Sequence, residues 1–277
     1  MEKILVPCDF SAPATEAFKF AVEIARESKG EVIVLNIIEI PFMHDTAMMP
    51  TLYFEQSFID ETKKSAEKKF QKMCDKWASD LQKVNLFVEL GSTHLAISQF
   101  IEDKKIDLVL MGTQGASGSK EFWIGSNTEK IVRTSSAPVI AIKNSAKMTS
   151  IKNIIFANEM DLEAEELTLK VKELQNFFQA KLHLLYVNTP ASFKRDVITS
   201  KAMKDFAKRY LLKDYTLNII NDLDQESGVR SFVQAISGDM VAMATHGRMG
   251  LNHFLSGSIA EDVVNHLKCP IWTYRVK

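Results

Sequence analysis

Little in this sequence points to a membrane or to an oxidising compartment. No window reaches the ~18 consecutive apolar residues of a membrane-spanning helix. The opening MEKILVPCDF lacks the positive-then-apolar pattern of a secretory signal. Only three cysteines occur, Cys8, Cys74 and Cys269; they form neither a CxxC pair nor a disulfide framework and read as reduced structural residues. The six histidines include no two at the i, i+4 spacing that puts ligands on one helical face, so no metal site is expected. An excess of one charge is missing too. With 34 Lys+Arg against 35 Asp+Glu the net charge is −1, without the basic surplus of a non-specific nucleic-acid binder. A cytoplasmic protein with neither a membrane nor a nucleic-acid partner is the expectation.

What is present is a chain of 277 residues, 46% apolar and 25% charged, enough for two globular domains or one large one. It repeats itself. Lys3-Ile4-Leu5-Val6 recurs as Asn153-Ile154-Ile155-Phe156, and Val32 to Ile37 has its counterpart in Leu182 to Val187, both offset by 150. Later the offset falls to 132, taking Asp107 to Asp239, Gly115 to Gly247, Gly125 to Gly257, Ser126 to Ser258 and Pro138 to Pro270. The first copy therefore carries the longer connection after its second strand, an insert placed at about residues 39–60. Its Pro41-to-Phe54 stretch is rich in methionine and aromatic residues, and its prolines exclude one continuous helix. The polar run Asn144 to Ser150 is the expected linker, dividing the chain into domains at 1–143 and 151–277.

Each copy alternates short apolar runs with longer amphipathic stretches. The first reads as strands at ILVP, EVIVLNII, 86–90, 108–111 and 138–142, with helices over 13–27, 56–84, 94–102 and 126–135 between them. The second repeats the order, closing on a helix over 258–267 and a strand over 270–274. Uninterrupted apolar strands separated by helices mark a parallel sheet covered on both faces, so the fold class is α/β and doubly wound.

After the strand ending at Met111 comes Gly112-Thr113-Gln114-Gly115, nine residues, then Gly125-Ser126 opening a helix. Glycines let backbone N–H groups approach a ligand, and a helix N-terminus adds unpaired donors and a positive dipole end, which suits phosphate. The same signature returns as Ala244-Thr245-His246-Gly247, nine residues, then Gly257-Ser258, again between a strand and a helix. With the opening turn Pro7-Cys8-Asp9-Phe10-Ser11, the chain resembles a tandem universal stress protein, whose ATP-binding members carry G-x2-G-x9-G-(S/T).

That resemblance covers both copies and implies two tandem Rossmann-like, adenine-nucleotide-binding units arranged as an internal pseudo-dimer through their last strands. Whether chains dimerise again is left open. For the first copy it implies ATP, with or without Mg2+, held by Asp9 on a ribose hydroxyl, by Pro7 and Ile37 around adenine, and by Gly112, Gly115, Gly125, Ser126 and Asn127 on the phosphates, with Met111 and Thr128 also in the site. A second reading of Asp9 is a cap for the following helix, although Ser11 is closer to its start. The second copy departs from the pattern: Glu159 replaces Asp9, Ala157 replaces Pro7 and Ala244 replaces the first glycine. Glu159, Val187, Gly247, Arg248, Gly250, Gly257 and Ser258 would form a degenerate site there. No Walker GxxxxGK followed by Ser or Thr, no GxSxG and no nucleophile with its base is found, so no catalytic residue is assigned. The expected function is a nucleotide-binding regulatory protein; a scaffold with vestigial pockets and a slow ATPase are the alternatives.

Overall fold

The computed structural model of the chain describes residues 1–39, 51–113, 125–160, 165–246, 263 and 266–276. Its first half runs β1 (Lys3–Pro7), α1 (Ala12–Ser28), β2 (Glu31–Ile38), α2 (Thr51–Trp77), β3 (Val84–Leu90), α3 (Thr93–Lys104), β4 (Leu108–Gly112), α4 (Ser126–Thr134) and β5 (Val139–Ile142). The second half follows with β6 (Asn153–Ala157), α5 (Glu165–Phe178), β7 (Lys181–Asn188), α6 (Asp196–Arg209), β8 (Tyr215–Asn221), α7 (Gln225–Ile236), β9 (Met240–His246) and β10 (Ile271–Val276). Residues 40–50 of the insert, most of both glycine-rich loops and most of the helix expected over 258–267 lie outside the described residues.

All ten strands share one sheet, in the order β3-β2-β1-β4-β5-β10-β9-β6-β7-β8. Pairing is parallel within each half. At the centre β5 and β10 run antiparallel, with Val139 opposite Thr273, Ile140 opposite Trp272 and Ala141 opposite Ile271. The doubly wound α/β fold and the internal pseudo-dimer expected from the sequence are both present.

The strands are apolar along their whole length because helices cover both faces of the sheet. One face carries α1 and α2, then α5 and α6, over Ile4, Val6, Val32, Leu108, Ile154 and Leu182; the other carries α3, α4 and α7 over Leu5, Ile33, Val109, Ile155 and Val241. Each core layer crosses the midline without a break. Phe20 of α1 stacks on Phe178 of α5 with ring centroids 6.3 Å apart, and Trp272, 1% exposed, belongs to the same layer.

Local rules set the element ends. Ser11 caps α1 by accepting from Ala14 N–H at 3.4 Å, Pro13 stands in the first turn where its missing N–H costs nothing, and Lys29 closes the helix in the left-handed region. The long helix expected to reach Val84 stops at Trp77. Arg26 explains the stop: its guanidinium takes Asp80 through Nε and Nη2 at 2.7 and 2.6 Å and the Trp77 carbonyl at 2.9 Å, fixing a turn before β3. Asp107 has a positional role the repeat did not reveal. Its carboxylate accepts the N–H groups of Glu2 and Lys3, and Asp239 does the same for Lys152 and Asn153, so each half clips its first strand to the start of its fourth.

With one sheet and two continuous core layers, the chain is expected to unfold in a single transition. Trp272→Ala should lower stability by about 3–5 kcal/mol, the usual cost of emptying a large aromatic site. Urea titration followed by circular dichroism measures it, and two separate transitions in the wild-type chain would contradict the shared core.

Candidate functional site

In the first half β1, β2 and β3 extend the sheet to one side and β4 and β5 to the other. A crevice therefore opens at the carboxyl ends of β1 and β4, the place where sheets of this kind take ligands. It is a cleft of about 460 Å³. Pro7, Asp9, Ile37, Met111, Gly112, Gly125, Ser126, Asn127 and Thr128 all line it. Nine of the ten residues singled out in the first copy thus meet around one cavity, and the tenth, Gly115, lies outside the described residues.

Asp9 is carried by a tight turn. Phe10 adopts the left-handed region at φ 64°, the Cys8 N–H donates to Leu35 O at 2.8 Å, and Asn36 Nδ2 donates to Cys8 O at 2.8 Å. The Asp9 carboxylate accepts the Ser11 N–H at 2.9 Å while Ser11 does the capping, so Asp9 orders the turn without being the helix cap. It stays exposed at the cleft. Cys8 beneath it is 4% exposed; burial pushes its thiol up to about 12, which makes it an inert packing residue. The same turn recurs at Asn158, Glu159 and Met160. There Asn158 Oδ1 accepts the Met160 N–H at 2.8 Å, where Cys8 Sγ accepts that of Phe10 at 3.4 Å.

The N-terminus of α4 lines the same cleft. Gly125 occupies the cap position and supplies no side-chain acceptor, so the first-turn N–H groups of Ser126, Asn127 and Thr128 have no intrahelical partner. Thr128 Oγ1 donates to Gly112 O at 2.9 Å and Gly125 N–H to Thr113 O at 2.7 Å, fixing this helix end to the end of β4. Gly112 has a steric reason beyond any ligand. A Cβ there would lie 2.5 Å from the carbonyl carbon of Pro13, so only glycine lets the start of α1 close over β4.

Glu39 and Thr93 are among the lining residues that the motifs do not point to. Glu39 Oε1 accepts both the N–H and the Oγ1–H of Thr93, at 3.2 and 2.5 Å, and so supplies the acceptor that the cap residue Ser92 of α3 does not. Those hydrogen bonds, with Lys130 nearby, hold the Glu39 carboxyl below its ordinary value. The cleft is therefore lined by groups of both kinds, the carboxylates of Asp9 and Glu39 and the amide donors at the start of α4.

In the second half, Gly247, Arg248, Gly250, Gly257 and Ser258 lie outside the described residues. Glu159 is half-buried. Val187, the counterpart of Ile37, is 1% exposed because α7 seats Gly228 against it; a Cβ on Gly228 would lie 2.4 Å from Val187 Cγ1. No group of three or more His, Cys, Asp or Glu side chains able to hold a metal ion occurs among the described residues, and no helix among them is long and apolar enough to cross a membrane.

The chain matches the Universal stress protein family twice, over residues 1–143 and 150–275. It belongs to that family. A universal stress protein of Methanocaldococcus jannaschii is 29% identical over 148 residues, covering 53% of this chain and 84% of its own. Among solved structures, a universal stress protein of Archaeoglobus fulgidus superposes with a TM-score of 0.77 at 17% identity over 99% of this chain and 98% of its own. A putative universal stress protein of Pseudomonas aeruginosa gives 0.71 at 17% identity, over 99% and 93%. Those two likenesses extend the shared fold along the whole tandem chain.

Two outcomes follow for this universal stress protein. Gly112→Ala is expected to cost about 1–3 kcal/mol, the range for forcing a methyl into a packed contact, and thermal unfolding would read it. Glu39 has a folded pKa below its unfolded value of about 4.3, so it stabilises the fold above that pH and ceases to as pH falls through the lower folded value. Glu39→Gln should therefore lower Tm at pH 7, and the loss should shrink as the pH falls through the acidic range; a loss that stays the same down to the acid limit of folding would show that the charge is not what holds α3.

Proposed function

We propose that the first-half cleft binds ATP and that its occupancy is the signal this universal stress protein transmits, making it a nucleotide-binding regulatory protein rather than a committed enzyme. The observation that carries the reading is the polarity of the cleft. Vicinal ribose hydroxyls are donors that suit the carboxylate of Asp9, and a polyphosphate is an anion that suits the first-turn amides of α4. Ile37, Met111 and Pro7 supply the apolar wall a purine requires, and the cavity volume is of the size of small-molecule sites, about 300–1,000 Å³. Phosphate recognition in this reading comes from backbone donors, because no lysine or arginine lines the cleft among the described residues. Magnesium would accompany the phosphates instead of sitting in a site of the protein's own.

The reading assigns one nucleotide per chain. Burial of Val187 and the exchange of Asp9 for Glu159 and of Gly112 for Ala244 argue for a weaker second site or a different ligand there. Slow hydrolysis needs only positioned phosphates and a metal ion, so turnover is a property to measure rather than a premise.

Acid extraction and mass spectrometry of the purified untagged protein, with calorimetry in the presence of magnesium, is expected to give one adenine nucleotide per chain. Asp9→Asn keeps an acceptor for the Ser11 N–H and removes the charge; it should weaken ATP about tenfold, a loss of roughly 1.4 kcal/mol. Absence of bound nucleotide together with absence of calorimetric binding would reject the reading in favour of a scaffold that keeps the cleft as inherited architecture.

A further inference from the structure

Helix α4 brings the donors to the cleft, yet the other half of the chain finishes that helix. An α-helix leaves its last four carbonyls without intrahelical partners. In α4 the Ile131 carbonyl accepts the Ser135 N–H at 2.9 Å, and two of those that follow are met from across the β5–β10 junction. Thr245 Oγ1 donates to Val132 O at 3.1 Å and Arg275 Nη1 donates to Thr134 O at 3.0 Å. Both donors come from the second half, Thr245 on β9 and Arg275 on β10, where the two are register partners in the parallel ladder. Thr245 is 2% exposed, so the Val132 carbonyl has no water to turn to if the hydroxyl is lost. Arg275 also sets a positive charge at the negative end of the helix dipole.

α4 is nine residues long, about 13 Å from end to end. A helix that short moves as a rigid piece. Its far end is anchored on Gly112 O by Thr128 and lines the cleft. We propose that Thr245 and Arg275 are positioning residues for the first-half site: the second half holds the carboxyl end of α4 and thereby sets where the amides of Ser126, Asn127 and Thr128 stand. The proposal rests on the nucleotide reading above. It also gives the halves a physical link, because Thr245 immediately precedes His246-Gly247 of the second glycine signature. Whatever shifts β9 at that point pulls on α4 through two hydrogen bonds.

The test pairs Thr245→Val, which removes the hydroxyl at constant shape, with Arg275→Gln at an exposed position, and restores function with Thr245→Ser and Arg275→Lys. ATP affinity is measured by calorimetry well below Tm. Amide hydrogen exchange of α4 is followed in the nucleotide-free protein, at Glu129 in particular, whose N–H donates to Gly125 O. The double variant is expected to bind ATP about three- to tenfold more weakly, the effect of one hydrogen bond's net worth reaching the site, and to exchange faster at Glu129. The conservative pair should return both to wild type, which loss of fold stability alone would not produce. Equal ATP affinity in the wild type and the double variant would overturn the proposal. If the wild-type chain binds no ATP, the nucleotide reading falls and exchange decides alone: unchanged rates at Glu129 overturn the clamp, and raised rates uphold it apart from any nucleotide.

Discussion

The antiparallel meeting of β5 and β10 is the constraint on which the rest of this molecule depends. Each half by itself is a five-stranded sheet ending in an unpaired ladder of N–H and C=O groups flanked by apolar side chains, an arrangement that invites association. Joining the two edges satisfies those groups and makes both core layers continuous, so Phe20 can stack on Phe178 and Trp272 can be fully enclosed. Because the two strands run in opposite directions, the halves are related by an approximate twofold. The carboxyl ends of their parallel strands therefore point away from one another, while their fourth and fifth strands are neighbours. Contact between the halves then passes through the elements beside the junction, and α4 is one of them.

The position of the cleft follows from topology more than from any residue. Once β1 sends its connections to one side and β4 to the other, no helix can cover the gap between their carboxyl ends. Sequence decides what the gap is lined with. A turn with Phe10 at positive φ lifts Asp9 clear of the sheet, Gly112 lets α1 close against β4, and an uncapped Gly125 leaves the amides of α4 facing the opening. A serine at position 125 could accept one of those N–H groups itself and would compete with any anion for it.

Much of this was legible in advance because a parallel sheet buried on both faces writes itself as uninterrupted apolar runs, and EVIVLNII spans the residues of β2, Glu31–Ile38. The glycine spacing likewise led to residues that do gather around one cleft. Legibility failed where the deciding partner is remote in sequence. The amphipathic period after Trp77 continues through Leu81, and nothing local announces that Arg26, fifty-four residues from Asp80, ends the helix there. Glu39 and Thr93 are also fifty-four residues apart, and only the pairing of β2 with β3 brings the first turn of α3 to that carboxylate. Gly112 has, beside its place on the cleft, a packing reason that only the fold supplies, the contact with Pro13 of a different element.

The difference between the halves is small in covalent terms and large in consequence. At the later offset of 132 Gly228 of α7 answers to Ala96 of α3, and at the earlier offset of 150 Val187 answers to Ile37. Without a Cβ, Gly228 lets α7 settle onto Val187, which is 1% exposed, whereas Ile37 is half-buried on the wall of the cleft. The turn beneath shows the same divergence, since Cys8 Sγ is a weak acceptor for the Phe10 N–H and Asn158 Oδ1 a strong one for that of Met160. The shared topology gives each half a crevice at the carboxyl ends of its strands, and across the β5–β10 junction the second half hydrogen-bonds the end of α4 through Thr245 and Arg275.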